Sequence, residues 1–448
     1  MCPATSDPII DLERREGLTL RHNKINFSPA LISDYDARTM LNILWLSFFF
    51  LAFIAALWQW LTGSNPEVFS ELVAASFEMA NLAVEIAIGL IGVMALWLGL
   101  FRIAEHGGLI AVISRGMAPL FKRLMPQVPA NHPALGSVTM NLAANFLGLD
   151  NAATPMGLKA MNDLQTLNPD PDTATNAQIL FLVLNTSSVT LLPVTIFLYR
   201  AQQGSLEPAA VFLPILMATS ASTLVGLMSV AWVQKLKLRD PVLMAWFAGF
   251  ALFLAAALSW IVSQPADLLA TRSALVGNLL LFSIIVLFLV SGVQRKLDCY
   301  SLFIEGAKEG FTVAIKIIPF LLAMLVGIGV FRASGCLDII LDGVRWTVSM
   351  LGFNTDFVEA LPTAFMKPLS GSGARAMMLE TMNTYGVDSF PARVAATLQG
   401  STETTFYVLA VYFGSVGIRK TRHAIACGLA ADCAGIVTAI AACYWFFA

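Results

Sequence analysis

Lys367-Pro368-Leu369-Ser370-Gly371-Ser372-Gly373-Ala374-Arg375, residues 367–375, decides how this chain is read. It places charge, hydroxyls and two glycines in the middle of an apolar stretch, about 358–385. A second apolar stretch, about 134–166, is interrupted in the same way at Gly148-Leu149-Asp150-Asn151. Crossing a bilayer takes about 20 apolar residues, and each half of each stretch is too short. Both therefore read as re-entrant helical hairpins with their tips inside the membrane. Irregular backbone at that depth is tolerated only where it is buried in protein or lines a wet cavity.

Working outward, the same surroundings occur twice. A hydrophobic span ending in Phe101-Arg102 or Phe331-Arg332 precedes each hairpin, followed by a Gly-marked amphipathic stretch. After each hairpin comes a span carrying a polar run, Asn185-Thr186-Ser187-Ser188 or Gly400-Ser401-Thr402-Glu403-Thr404-Thr405. Full spans are expected near 40–62, 83–104, 177–199, 209–233, 241–263, 273–294, 311–331, 390–414 and 423–447. The basic loops, Lys235/Lys237/Arg239, Arg295/Lys296 and Arg419/Lys420/Arg422, fall on one side if the N-terminus is cytoplasmic. The first hairpin then enters from inside and the second from outside, which makes the two repeats inverted. Paired, interrupted segments in two halves are the pattern of a secondary transporter with a midplane site.

Composition agrees. Of 448 residues, 57% are hydrophobic and 12% charged, against about 25% charged in soluble domains. Mean hydropathy is +0.74. The chain reads as an all-α polytopic membrane protein. The apolar runs do not alternate as barrel strands do. A net charge of −2 offers nucleic acid no basic surface. The six cysteines and four histidines are scattered, with no metal-ligand spacing. No phosphate-binding G-x-x-x-x-G-K-[ST] loop and no G-x-S-x-G or H-E-x-x-H motif is present, so neither nucleotide coupling nor hydrolysis has a motif behind it. The expectation is a protein that is no enzyme and holds no cofactor, with Na⁺ or H⁺ as the coupling ion. Residues 1–39 are polar and read either as a cytoplasmic tail or as a segment foreign to the native protein, with Met40 as initiator.

A broken helix exposes carbonyls that favour cations and amides that favour anions. At the first tip, Asp150, Asn151 and Thr154 join such backbone, and at the second, Ser370, Gly371, Ser372 and Gly373 do; on the hairpin arms, Asn145 either holds the arms together or faces substrate, and Lys367 and Arg375 either bind a substrate anion or pair with a carboxylate. The polar runs add Asn185, Thr186, Ser187 and Ser188, with Pro193 beyond them, and Gln399, Ser401, Thr402, Glu403 and Thr404. Each set reads as substrate or ion ligands or, alternatively, as caps of tight turns. Glu403 is an intramembrane carboxylate, suited to a proton, a sodium ion or a polar solute; the alternative is an ion pair with Lys367 or Arg375. Asp432 reads as a proton relay or as one end of a helix–helix hydrogen bond.

At these residues the chain resembles the spore maturation protein A and B families joined in one polypeptide. The A-like signal is Asn141-Leu142-Ala143-Ala144-Asn145 with residues 148–155. The B-like signal is residues 367–375, Gln399 through Tyr407, and Val411 through Gly417. Both halves are similar to the nucleoside-recognition or gate domain, also found in concentrative nucleoside transporters and in the membrane part of ferrous-iron transporters. The resemblance implies an elevator-type fold with opposed hairpins in a homo-oligomer. The first gate-type repeat is then about 40–236, the second about 273–448, with 237–272 as a connecting span and loop. The function expected is ion-coupled transport of a small polar or anionic solute, nucleoside-like among others, across the cytoplasmic membrane. The alternatives are a non-transporting membrane factor for envelope or spore maturation, and a lipid-precursor flippase.

Overall fold

The computed structural model describes residues 37–146, 150–191, 193–236, 240–263 and 269–447. Almost all of the polar extension 1–39 lies outside them. The described residues are helical, with one isolated bridge between Thr173 and Lys420 and no strand.

One order of elements occurs twice. The first series is a long helix α2 (Val68–His106), α3 (Leu109–Leu124), the pair α4 (Pro133–Phe146) and α5 (Asp150–Gln165), the pair α6 (Asn176–Thr186) and α7 (Val194–Gln202), then α8 (Phe212–Gln234). The second series is α11 (Cys299–Ala333), α12 (Cys336–Met350), α13 (Leu361–Met366) with α14 (Gly371–Tyr385), α15 (Phe390–Ser401) with α16 (Thr405–Ser415), then α17 (Ala424–Phe447). Outside the series stand α1 (Ala37–Thr62), α9 (Pro241–Val262) and α10 (Leu269–Gln294). The Gly-marked amphipathic stretches are α3 and α12. Gly108 and Gly335, at φ +74° and +75°, let the chain leave each long helix at 69° and 72°.

Five helices among the described residues are long and apolar enough to cross a membrane, or seven if each bent pair counts as one span. Nine full spans were expected from the sequence, and two of them, 177–199 and 390–414, are not continuous. They are broken at 187–193 and 402–404. Pro193 has no amide to donate, and hydroxyls in both runs compete for backbone partners. The other spans follow the expected helices, although α2 and α11 extend well beyond 83–104 and 311–331. Of the apolar window in α8, 67% is buried, against 17% in α1. That contrast makes α8 a central helix and α1 a peripheral one. Exposed Phe50, Phe53, Ile54 and Trp58 on α1, with Leu275, Leu279 and Phe282 on α10, form an apolar exterior suited to lipid. The molecule is a multi-pass membrane protein.

Small residues bring the principal helices together. Gly306 and Gly310 of α11 lie on the α2 backbone: a Cβ on them would stand 2.3 Å from the Leu98 oxygen and 2.6 Å from Ala95 Cα. Close helix approach in membranes uses this spacing of small residues. Ser222 and Gly226 of α8 face Ala431 and Gly435 of α17 in the same manner. The two Phe-Arg motifs also act between helices. Arg102 pairs with Glu305 of α11, and Arg332 pairs with Glu380 of α14 at 2.7 Å.

Each series is latched to the other at its loops. Fully buried Arg200 of α7 donates to Asp388, in the loop after α14, at 2.7 Å and to the Val387 carbonyl at 3.1 Å. Ser205 and the Leu206 amide bind the same carboxylate at 2.7 and 3.1 Å. At the other latch, the Arg419 and Lys420 amides both donate to the Asp172 carbonyl at 2.9 Å. Arg422 donates to the Ala174 carbonyl at 2.9 Å. Burial opposes ionisation of Asp388, but the Ser205 hydroxyl, the Leu206 amide and Arg200 together hold its carboxyl below the usual carboxylate range.

Two outcomes follow. Gly310→Leu overpacks the α2–α11 seam and lowers stability by about 1–3 kcal/mol, measured by thermal unfolding in detergent. A lowered folded pKa contributes stability above the unfolded value and loses it as pH falls through the folded one. The Asp388 contribution is therefore present at neutral pH and lost below about pH 4. Wild type minus Asp388→Asn, followed by acid titration of the unfolding midpoint, reads that loss.

Candidate functional site

The two helix breaks meet. The Glu403 amide, in the second break, donates to the Thr186 carbonyl at the end of α6, at 2.8 Å. Thr223 of α8 donates to the Ser187 carbonyl, holding the first break from its other side. Each break is also tied to the hairpin of its own series. The Leu191 amide donates to the Phe146 carbonyl, where α4 ends, and the Phe406 amide donates to the Pro368 carbonyl, just after α13, both at 3.0 Å. The same tie thus occurs at corresponding places in the two series. Backbone groups at a helix end lack intrahelical partners, and here several are satisfied by other breaks and hairpins.

Around this crossing lie most of the residues picked out from the sequence. Asn185, Thr186, Ser187, Ser188, Lys367, Ser370, Gln399, Ser401, Thr402 and Thr404 are all buried. Asn145 donates to the Asn185 side-chain oxygen at 2.8 Å, so the first hairpin is bound to α6. Thr154 is half-buried in the first turn of α5. The tip residues 147–149 and the side chains of Asp150 and Asn151 lie outside the described residues. Ser370 caps α14 by accepting from the Gly373 amide at 3.1 Å, and its hydroxyl stands 3.2 Å from that of Ser372. Gln399 reaches the Gly371 carbonyl at 3.4 Å. A Cβ on Gly371 would lie 2.9 Å from the Thr404 hydroxyl, so only a glycine admits this approach without a shift. The break of the second hairpin therefore spans 367–370. Gly371 and Gly373, expected within it, belong to the first turn of α14, because Ser370 caps the helix one residue before them.

Two charged residues remain. The Arg375 guanidinium lies over the ring of Tyr199 on α7, 5.3 Å from the centroid. The aromatic face offers the cation a partner that the apolar surroundings do not. Glu403 is exposed, and among the described residues no ion pair engages it, with Lys367 or with Arg375.

Tyr412 was not singled out from the sequence, yet it anchors the first hairpin. On α16, it stacks on Phe181 at 5.7 Å, and its hydroxyl lies 3.5 Å from both Asn141 and Asn185. A Cβ on Gly157 would come within 2.1 Å of that hydroxyl. Tyr199 holds the second hairpin from α7 in the corresponding way. Tyrosines in the half-helices that follow the breaks, Tyr199 in α7 and Tyr407 with Tyr412 in α16, were the available signal. Thr223, Ser220 and Ser222 of α8 also escaped notice, although the run Thr219-Ser220-Ala221-Ser222-Thr223 was a signal of the same kind as the two polar runs. No group of three or more His, Cys, Asp or Glu side chains suited to a metal occurs among the described residues.

Beside the first break lies a cavity of about 220 Å³ with an almost wholly apolar lining that includes Phe121, Leu142, Phe146, Leu184, Val189 and Trp246. Ser188 and Thr223 are the hydroxyls on its wall.

The family model for the gate, described as nucleoside recognition, matches residues 87–202 and 314–419. Each segment runs from the middle of a long helix through the following broken helix. Spore maturation protein B of Bacillus subtilis (strain 168) is 46% identical over 157 residues, 35% of this chain and 86% of that protein. Spore maturation protein A of the same organism is 40% identical over 183 residues, 41% of this chain and 90% of that protein. No solved structure matches the chain.

Asn185→Leu leaves the Asn145 amide without its acceptor in a buried site. The expected cost is about 1–3 kcal/mol of stability, read as a lowered unfolding midpoint, and an unchanged midpoint would remove Asn185 as the tie between α4 and α6.

Proposed function

Because the chain belongs to the family of spore maturation proteins A and B, with relatives of both in one polypeptide, we propose that it is a secondary transporter. It moves a small polar or anionic solute across the cytoplasmic membrane, with its N-terminus on the cytoplasmic side. The observation that carries this reading is the crossing of two helix breaks, Glu403 N–H to Thr186 O, within a buried set of hydroxyls and amides. Polar groups are expensive at membrane depth and are retained there for solutes and ions.

In this reading the two series are inverted in the membrane, and α4–α5 and α13–α14 are re-entrant hairpins entering from opposite faces. The hairpins with their broken helices carry the solute in an elevator-type movement. α2, α11 and the helices around them form the scaffold, and the protein works as a homo-oligomer. Thr154, Asn145, Ser370, Ser372, Gln399 and Glu403 face the solute, with the buried hydroxyls of both breaks behind them. The nucleoside-recognition description of the gate family makes nucleosides the first solutes to try. Amino acids and dicarboxylates suit the same donors and acceptors. Sodium or protons drive the cycle.

A second reading has an observation of its own. The apolar cavity beside Ser188 and Thr223 would accept an acyl or prenyl chain, as a lipid-precursor flippase requires.

The test is a thermal-shift panel of nucleosides, amino acids, dicarboxylates and lipid-linked precursors on the purified protein. A ligand at about 100 times its dissociation constant adds about 2.7 kcal/mol to stability. Glu403→Gln is expected to fold normally and to lose the solute shift. A solute shift undiminished in Glu403→Gln would take that carboxylate out of the site. A shift with lipid-linked precursors alone would select the flippase.

A further inference from the structure

Asp432 is the acid of α17 and is 1% exposed. One carboxylate oxygen, Oδ2, accepts from the Thr405 hydroxyl at 2.7 Å. The other, Oδ1, is buried without a hydrogen-bond partner. The buried Thr402 hydroxyl lies near the same carboxylate but does not meet it in hydrogen-bonding geometry. One turn further along α17, a Cβ on Gly435 would stand 2.7 Å from Thr402 Cγ2, 3.3 Å from Ser222 Cβ and 3.4 Å from the Ser401 carbonyl. The Ser222 hydroxyl is buried and unpartnered as well. A carboxylate, two orphaned hydroxyls and a carbonyl therefore gather where α17, α8 and the second break meet.

A buried carboxylate is costly unless it is neutralised. An orphaned carboxylate oxygen beside orphaned hydroxyl oxygens is an acceptor-rich set that favours a positive ligand. All the donors are oxygens, which suits a hard cation and not a soft metal. The elements packed against α17 add little charge of their own. α6 and α8 bear no acid or base, α16 bears only Tyr407 and Tyr412, and Arg393 of α15 lies over Phe447, 4.8 Å from its centroid. α10 contributes Arg272 near its start. The charge that acts on Asp432 is that of Lys367, 4% exposed in the break of the second hairpin.

We infer that Asp432, with Thr402, Thr405 and Ser222, is the seat of a monovalent coupling cation, distinct from the solute-facing residues. As a coupling site it rests on the transport reading; as a cation site it does not. Its position provides the linkage. Thr402 and Thr405 bracket the second break. Between them, Thr404 touches Gly371 of the hairpin, and the Glu403 amide binds the Thr186 carbonyl of the first break. Lys367, on the same hairpin, sees the charge of Asp432 change when the cation binds. Occupancy of this carboxylate thereby alters the hold on both the hairpin and the opposite break.

The test is thermal unfolding of the full chain in detergent, without solute. Sodium chloride is compared with choline chloride at fixed pH, and a pH series is run in choline. Binding to the folded state raises the midpoint. The expected result is that wild type is stabilised by sodium or by added protons, and that this response is lost in Asp432→Asn and weakened in Thr402→Val and Ser222→Ala. Loss of the sodium response assigns sodium; loss of the pH response alone assigns a proton on Oδ1. If Asp432→Asn does not fold, the two hydroxyl variants carry the test. Wild type indifferent to both cations, or responses identical in wild type and the variants, overturns the inference. A solute shift that survives in Asp432→Asn leaves the transport reading standing in either case.

Discussion

Backbone that leaves a helix inside an apolar interior must find hydrogen-bond partners, and in this molecule the two places where it does so are joined to each other. The bond from the Glu403 amide to the Thr186 carbonyl links the breaks directly. Without water to take their place, unpaired amides and carbonyls buried in an apolar interior would each be a large penalty. The hairpins are held by the same necessity, through Leu191 to Phe146 and Phe406 to Pro368. What surrounds the crossing serves it: buried hydroxyls supply local partners, and Gly371, Gly428 and Gly435 allow neighbouring backbone and threonine side chains to approach.

The two series are interleaved, not placed side by side. The first hairpin rests on Tyr412 of the second series, and the second hairpin on Tyr199 of the first. The loop latches obey the same exchange, with Arg200 on Asp388 at one and Arg419, Lys420 and Arg422 on the 172–174 backbone at the other. The long helices α2 and α11 also pair across series, as do α8 and α17. Neither series completes its own polar contacts, so separating A-like and B-like halves would take the Asp388 and Val387 partners from Arg200 and the cross-series partners from both tyrosines. Two separate proteins of this kind would have to supply the exchange by association, which fusion makes intramolecular.

Much of this was legible before any coordinates. The glycines ahead of the amphipathic helices, the Phe-Arg helix ends and the interrupted apolar stretches all stand where the residue pattern puts them, since each reflects local chemistry. Ser370 as a cap and the disruption around Pro193 are equally local. The interruption inside 390–414 was visible as polarity but not as a break, because hydroxyls and one glutamate are compatible with a continuous helix. Arg375 read as a charge on a hairpin arm, and only the ring of Tyr199, 176 positions away in sequence, explains where that charge goes. Ser222 and Thr223 lie in a hydroxyl run, 219–223, that was visible in the residues, but its place against the breaks was not.

The sequence by itself determined that this is a helical membrane protein whose element order occurs twice, because hydrophobic length, glycine and proline act over a few residues. The tertiary structure decided which groups meet: that the breaks cross, that each hairpin leans on the other series, and that Asp432 lies among Thr402, Thr405 and Ser222. Those encounters depend on helix packing set by small residues far apart in the chain. Burial of an unpartnered oxygen is likewise a property of everything around it, and no short stretch of residues encodes it.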